Sequence, residues 1–219
     1  MKVLIVGSGG REHAIAWSVA KSPKVEKIYC APGNAGISEY AECVAIGAME
    51  FEKLADFAQE KVVDLTIIGM DDPLVGGIVD AFESEGLRVF GPRRNAAILE
   101  GSKAFSKDLM KKYNIPTAAY ETFTSAEEAK KYLETSEYPI VLKADGLALG
   151  KGVLICQTKE EAMEGVNELM LDKKFGSAGN TIVIEEFMTG REVSVLSFVD
   201  GSTIKIMSSA QDHKRAKDG

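Results

Sequence analysis

Short apolar runs alternate with longer amphipathic segments through the first ninety or so residues, and that rhythm restricts the chain to few architectures. Residues 3–6, 27–31, 65–68 and 88–90 read as strands, with helices predicted over 12–21, 51–61 and 74–85 between them. A strand, a helix and a further strand in that order build βαβ units, which close into a parallel sheet covered by helices. Asp72-Pro73 starts the third helix with Asp72 as its cap, and Gly91-Pro92 stops the last strand. Proline's fixed φ and missing N–H make it a natural first helical residue and a poor continuation of a strand. An open α/β domain, Rossmann-like in outline, is expected over residues 1–100.

The rhythm then changes. Residues 95–113 read as mostly helical, 114–116 as a turn and 117–122 as a strand. Ser125 and Glu128 form a capping box for a helix over 125–134, followed by a strand at 140–143. A glycine-rich loop spans 144–152, then a strand over 153–156 and a helix over 159–171. Strands at 181–187 and 192–199 lead through the Asp200-Gly201 turn into 203–207, a hairpin signature. The second half is therefore α+β with antiparallel character, giving a second domain over 101–219: a linker helix to about 116, a small lid subdomain to about 188, and the start of a larger one over 189–219.

Composition excludes several function classes. Among 219 residues, 33 Asp plus Glu oppose 26 Lys plus Arg, a net charge of −7. Such a chain has no global attraction for nucleic acid or an anionic membrane, and no local basic patch precedes the last eight residues. No run approaches the ~18 apolar residues of a membrane span, and the opening Met1 to Gly7 is too short for a secretion signal. The three cysteines, Cys30, Cys43 and Cys156, lie at wide spacing in or beside apolar runs, which fits buried thiols in a reducing compartment. A cytoplasmic protein is expected.

Several stretches carry chemistry. Gly7-Ser8-Gly9-Gly10-Arg11-Glu12 follows the first strand, and a glycine turn feeding a helix start offers backbone N–H groups to a phosphate. It departs from a dinucleotide fingerprint, because Glu12 holds the third glycine position and no acid ends the second strand; a nicotinamide enzyme is disfavoured. The Ala31-Pro32-Gly33-Asn34-Ala35-Gly36 loop and Asp71 would share the same carboxyl-end crevice. Asp71-Asp72 admits two readings, sugar hydroxyls or a helix cap. Lys143-Ala144-Asp145-Gly146-Leu147-Ala148-Leu149-Gly150-Lys151-Gly152 offers cations and backbone donors to a polyphosphate, and its leucines suggest a cover. Lys103 at a helix start is a cation where the dipole disfavours one without an anion. Finally, Val183-Ile184-Glu185-Glu186-Phe187-Met188 breaks from a strand into a hinge whose unpaired backbone groups suit a purine edge, with Glu192 in reach of ribose hydroxyls. A solvated strand end explains the paired acids equally well.

In their order and spacing these features resemble the ATP-grasp superfamily. More narrowly, Gly-Ser-Gly-Gly-Arg-Glu-His at 7–13, Ala-Pro-Gly-Asn-Ala-Gly at 31–36, Leu-Glu-Gly-Ser-Lys at 99–103, Lys-Ala-Asp-Gly-Leu-Ala at 143–148 and Gln-Asp-His-Lys-Arg at 211–215 resemble the phosphoribosylamine–glycine ligase family of purine biosynthesis. The resemblance implies that ATP activates the carboxylate of glycine as glycyl phosphate, which the amine of 5-phosphoribosylamine attacks to give glycinamide ribonucleotide, ADP and phosphate. It implies that Lys103 and Lys143 are the catalytic cations on the ATP phosphates, and that Gly146, Gly150, Lys151 and Gly152 belong to the covering loop. The Glu186 carbonyl and Met188 amide would meet adenine, with Glu185 and Phe187 in the same hinge and Glu192 on the ribose. Gly9, Gly10, Arg11, Asn34 and Asp71 would form the phosphoribosylamine side, and Lys214 would reach a phosphate unless it belongs to a merely solvated basic run.

Two departures from the family stand out. Gly69-Met70-Asp71 replaces the usual Gly-Pro-Glu, so the acid is one methylene shorter. Family members are about twice as long, and the Mg²⁺ or Mn²⁺ ligands are expected after residue 219, so the chain alone is expected to be inactive. Small-molecule substrates and a monomer or weak homo-oligomer are expected. The rival readings are a sibling ligase with another acceptor, a nicotinamide-dependent dehydrogenase, and a non-catalytic nucleotide-binding regulator.

Overall fold

A computed structural model of the chain describes residues 1–147, 152–172, 174 and 176–211. The chain divides into two compact units, Met1–Glu186 and Phe187–Gly219. In the first unit, β1 (Lys2–Gly7), β2 (Lys27–Pro32), β3 (Glu42–Cys43), β4 (Leu65–Ile68) and β5 (Val89–Phe90) form a wholly parallel sheet in the order β3-β2-β1-β4-β5. β1 is central, and the two-residue period of a strand divides its side chains between two cores. Leu4 and Val6 pack with Tyr29, Leu54, Ile78 and Phe82 on one face, and Val3 and Ile5 with Ala16, Ile28, Cys30 and Ile37 on the other. Both faces of β1 are covered, which is why residues 3–6 read as an unbroken apolar run.

Helices α1 (Gly10–Val19) and α2 (Phe51–Glu60) fall close to expectation. The helix expected over 74–85 is instead two, α3 (Asp71–Gly76) and α4 (Ile78–Ser84), broken at Gly77, whose φ of 97° a residue with a Cβ rarely adopts. Asp72 is not the cap: α3 begins at Asp71 with Met70 preceding it, so Asp72 lies inside the first turn. The segment 95–113 is likewise divided, into α5 (Arg94–Gly101) and α6 (Lys103–Lys112), at Ser102. Its hydroxyl accepts from the Phe105 N–H at 3.1 Å, an N-cap that a continuous helical reading had no place for. Cys43 is exposed, on the two-residue edge strand β3 that the sequence did not announce; Cys30 and Cys156 are buried as expected, and all three thiols are free.

The rest of the first unit is built on an antiparallel sheet in the order β6-β9-β7-β8, from β6 (Tyr120–Phe123), β7 (Ile140–Ala144), β8 (Val153–Cys156) and β9 (Ile182–Glu186). Helices α7 (Ala126–Leu133) and α8 (Lys159–Val166), the latter widening into a π-turn over Asn167–Leu171, close one face over Leu142, Ala144, Ile182 and Ile184. β6 starts three residues later than expected. Leu142 and Ile184 point into this core, so by alternation Lys143 and Glu185 project from the opposite face. Val141 pairs with Glu185 in the β7–β9 register, which makes Lys143 and Glu185 diagonal neighbours across two strands.

The second unit contains the hairpin β10 (Ser197–Val199) and β11 (Ile204–Ile206). Asp200 turns it, its carboxylate accepting from the Ser202 and Thr203 N–H groups at 3.0 and 2.8 Å. The strand expected over 192–199 is thus confined to its last three residues, with an isolated bridge between Ser194 and Ala210. Among the described residues, no helix is long and apolar enough to cross a membrane.

Candidate active site

The carboxyl ends of the parallel strands supply the first half of the site. Gly9 precedes α1, and its N–H donates to Glu12 Oε2 at 2.6 Å. That N–H was expected to face a phosphate; the protein's own carboxylate takes it instead. Glu12 is buried, and its Oε1 has no hydrogen-bond partner among the described atoms. Three glycines make room for this side chain. A Cβ on Gly7 would stand 2.5 Å from Glu12 Cγ, one on Gly69 2.3 Å from Oε1, and one on Gly9 3.0 Å from Oε2. Gly10, the first residue of α1, leaves open space around its Cα. Asn34 ties the two loops together, its amide donating to the Ser8 carbonyl at 2.7 Å and its Oδ1 accepting from the Ile37 N–H at 2.9 Å. Both polar ends of Asn34 are therefore engaged in loop structure. Arg11 points outward and meets Asp71 in a two-pronged pair at 3.4 and 3.2 Å. The hydrogen bond to Asp71 raises the Arg11 pKa above its ordinary value.

The junction between α5 and α6 supplies the second half. Asp145, just past β7, receives the Ala104 N–H on Oδ1 and the Ser102 hydroxyl on Oδ2, each at 3.1 Å. A carboxylate at a helix start satisfies an orphan donor and opposes the positive end of the dipole. Beside it Lys103 donates to the Gly146 carbonyl at 2.8 Å. Burial pushes the Lys103 ammonium below its ordinary range, Asp145 pulls it back, and Lys143 adds to the lowering. Gly146 adopts a φ of 95°, which suits glycine at this bend.

From the antiparallel sheet come Lys143 and Glu185. Lys143 Nζ donates to Glu185 Oε2 at 2.8 Å, and Lys107 Nζ of α6 lies 3.2 Å from the same oxygen. The Glu185 side chain is only 6% exposed. Glu186 projects the other way: its Oε1 accepts from the Ala119 N–H while its own N–H donates to the Ala119 carbonyl, each at 3.0 Å. Gly152 sits at the base of the β7–β8 hairpin, its carbonyl accepting from Ala144 at 2.8 Å.

One cavity of about 550 Å³ brings the two halves together. Arg11, Asp71, Asp72, Glu100, Lys103, Lys107, Lys143, Gly146 and Glu185 line it, with Leu99, Met110 and Leu147 as apolar wall. Three of its four cations come from the linker helix and the second sheet, an arrangement suited to a polyphosphate. Among the sequence-derived site residues, Arg11, Asp71, Lys103, Lys143, Gly146 and Glu185 thus share a cavity. Phe187, Met188 and Glu192 lie in the second unit, and Gly150, Lys151 and Lys214 fall outside the described residues. Sequence reasoning missed Lys107, Ser102, Asp145 and the buried role of Glu12. Lys107 had one available signal, its place one helical turn after Lys103. Among the described residues, no three His, Cys, Asp or Glu side chains are grouped to hold a metal ion. The cavity lining is mixed, with Asp71, Asp72, Glu100 and Glu185 beside its four cations.

Two family models match adjoining parts of the chain. Residues 1–100 match the phosphoribosylglycinamide synthetase N domain, and residues 101–219 match the phosphoribosylglycinamide synthetase ATP-grasp (A) domain. A phosphoribosylamine–glycine ligase from Halalkalibacterium halodurans is 54% identical over 219 residues, covering 100% of this chain and 51% of that protein. One from Escherichia coli O157:H7 is 52% identical over 220 residues, with the same coverages. The crystal structure of the ligase from Thermotoga maritima superposes with a TM-score of 0.83 at 35% identity, over 100% of this chain and 52% of that one. A biotin carboxylase complex from Campylobacter jejuni, at 18% identity and a TM-score of 0.76, shares the fold, over 94% of this chain and 49% of that one. The chain spans about half the length of the curated relatives it matches. With both family models together spanning all 219 residues, the chain belongs to the phosphoribosylglycinamide synthetase family.

Proposed function

We propose that the chain supplies the nucleotide-phosphate and phosphoribosylamine sides of an ATP-dependent ligase that joins glycine to 5-phosphoribosylamine. The observation that carries this reading is the single cavity in which Arg11 and Asp71 of the parallel-sheet half face Lys103 and Lys143 of the other. ATP, when bound, supplies the phosphoryl group that turns the unreactive glycine carboxylate into an acylating agent with a phosphate leaving group. Lys103 and Lys143 hold its phosphates, exchanging Gly146 carbonyl and Glu185 carboxylate for phosphate oxygens. Arg11 and Asp71 orient the phosphoribosylamine, the guanidinium on phosphate and the carboxylate on a ribose hydroxyl. Leu147, on the cavity wall, keeps water from the acyl phosphate. The amine then attacks the glycyl carbonyl, phosphate departs, and the nitrogen loses a proton as the amide forms. Mg²⁺ or Mn²⁺ accompanies the nucleotide, and no metal-ligand role is assigned to the described residues.

A chimera tests the reading: residues 1–219 joined to the remaining half of the Halalkalibacterium halodurans relative. ADP release that requires both glycine and phosphoribosylamine, and falls at least about a hundredfold in Lys143→Ala, is expected. Turnover independent of either substrate, or unchanged in Lys143→Ala, contradicts it. The 219-residue chain alone is expected to bind ATP without turnover.

A further inference from the structure

Lys107 belongs to no motif that pointed to the site, yet it is the most enclosed cation of the cavity, its side chain 8% exposed. Its Nζ donates to Thr117 Oγ1 at 2.8 Å and to the Ala118 carbonyl at 3.3 Å, and pairs with Glu185 Oε2 at 3.2 Å. The two hydrogen bonds hold the ammonium in place, and its charge faces Glu185. Lys143, on the same carboxylate oxygen, is 28% exposed and has no other side-chain hydrogen-bond partner among the described residues. One carboxylate oxygen thus binds two ammonium groups, one locked in place and one at the cavity surface.

A buried carboxylate stripped of its last cation is strongly unfavourable. If Lys143 were the sole counterion of Glu185, any phosphate drawing it away would leave that uncompensated charge. We propose that Lys107 is a positioning residue that keeps Glu185 neutralised when Lys143 moves to a nucleotide phosphate. The carboxylate then acts as a resting place for Lys143 rather than as a competitor for it. This rests on the assignment of Lys143 to ATP phosphates made above.

Binding of ATP, with Mg²⁺ present, to the 219-residue chain tests the proposal in a double-mutant cycle. Lys107→Met is expected to weaken ATP binding at least about tenfold, equivalent to about 1.4 kcal/mol. In the Glu185→Gln background the same change is expected to shift affinity less than about threefold, because no buried charge then needs a partner. A lysine that merely supports the fold would cost the same in both backgrounds. Equal weakening in the two backgrounds, or none in either, overturns the proposal. Should Lys107→Met lack a cooperative unfolding transition, Lys107→Gln takes its place, keeping a donor without the charge, with the same expectations. Binding weakened by Lys143→Ala but without dependence on the background removes this inference alone. Binding that is absent, or that Lys143→Ala leaves unchanged, removes the ATP assignment and this inference together.

Discussion

Glu12 shows how one side chain dictates its neighbours. With Oε1 2.3 Å from where a Gly69 Cβ would stand, Gly69→Ala must displace a buried carboxylate or distort the start of α3. The substitution is expected to cost about 1–3 kcal/mol of stability, read as a lower urea midpoint with an unchanged slope. A midpoint within experimental error of wild type would mean that Glu12 moves aside freely. The thiols give a second residue-scale expectation. Cys30 is held up to about 12, mainly by burial, whereas Cys43 is exposed. Alkylation of the native protein at pH 8 should label Cys43 first, with Cys30 and Cys156 following only on unfolding. The raised Cys30 pKa also has a definite sign. The folded state keeps its proton where the unfolded thiol has lost it, so this contribution is fully present below about pH 9 and fades as pH rises toward 12. Cys30→Ala is expected to flatten that alkaline decline, and an unchanged slope would contradict it.

At the scale of elements, the contact between α6 and the segment after β7 matters most. Asp145 caps α6 through Ala104 while Lys103 grips the Gly146 carbonyl, so the helix start is tied to the segment just after β7. Asp145→Ala is expected to destabilise the protein by about 1–2 kcal/mol and to speed hydrogen exchange at the Ala104 amide. Unaltered exchange there would show that the cap contributes nothing. The sequence made Lys103 and Lys143 legible, because a cation at a helix start and one ending a strand are both visible in one dimension. It could not show that Asp145 closes the helix forty-one residues before it, since nothing local to either segment encodes that meeting. The same limit explains the broken helices. The apolar period runs unchanged through Gly77 and Ser102, and the breaks are decided by a positive φ and by a long-range acceptor. β3 escaped notice because two residues are too few to show a period.

For the whole molecule, the βαβ rhythm determined the parallel sheet, and the order β3-β2-β1-β4-β5 puts the Gly7 turn, the Asn34 loop and Asp71 at one edge. What periodicity could not supply was the meeting of that edge with Lys103 and Lys143, which depends on how α5 and α6 lead one sheet into the other. Burial of Lys103 adds a trade between stability and binding. Its pKa is lowered on folding, so the folded state binds the proton less tightly than the unfolded chain, and stability rises with pH as the ordinary lysine range is approached. Lys103→Met should therefore raise the melting temperature at pH 7.5 while weakening ATP binding; a lower melting temperature would show that the Gly146 contact outweighs burial. In the proposed complex one cavity joins the two halves around a polyphosphate. Backbone amide chemical shifts recorded while ATP is titrated into the 219-residue chain test it most directly. Saturable shifts at Lys103, Lys143, Gly146 and Arg11 together are expected, whereas shifts confined elsewhere, or none at millimolar ATP, would contradict it.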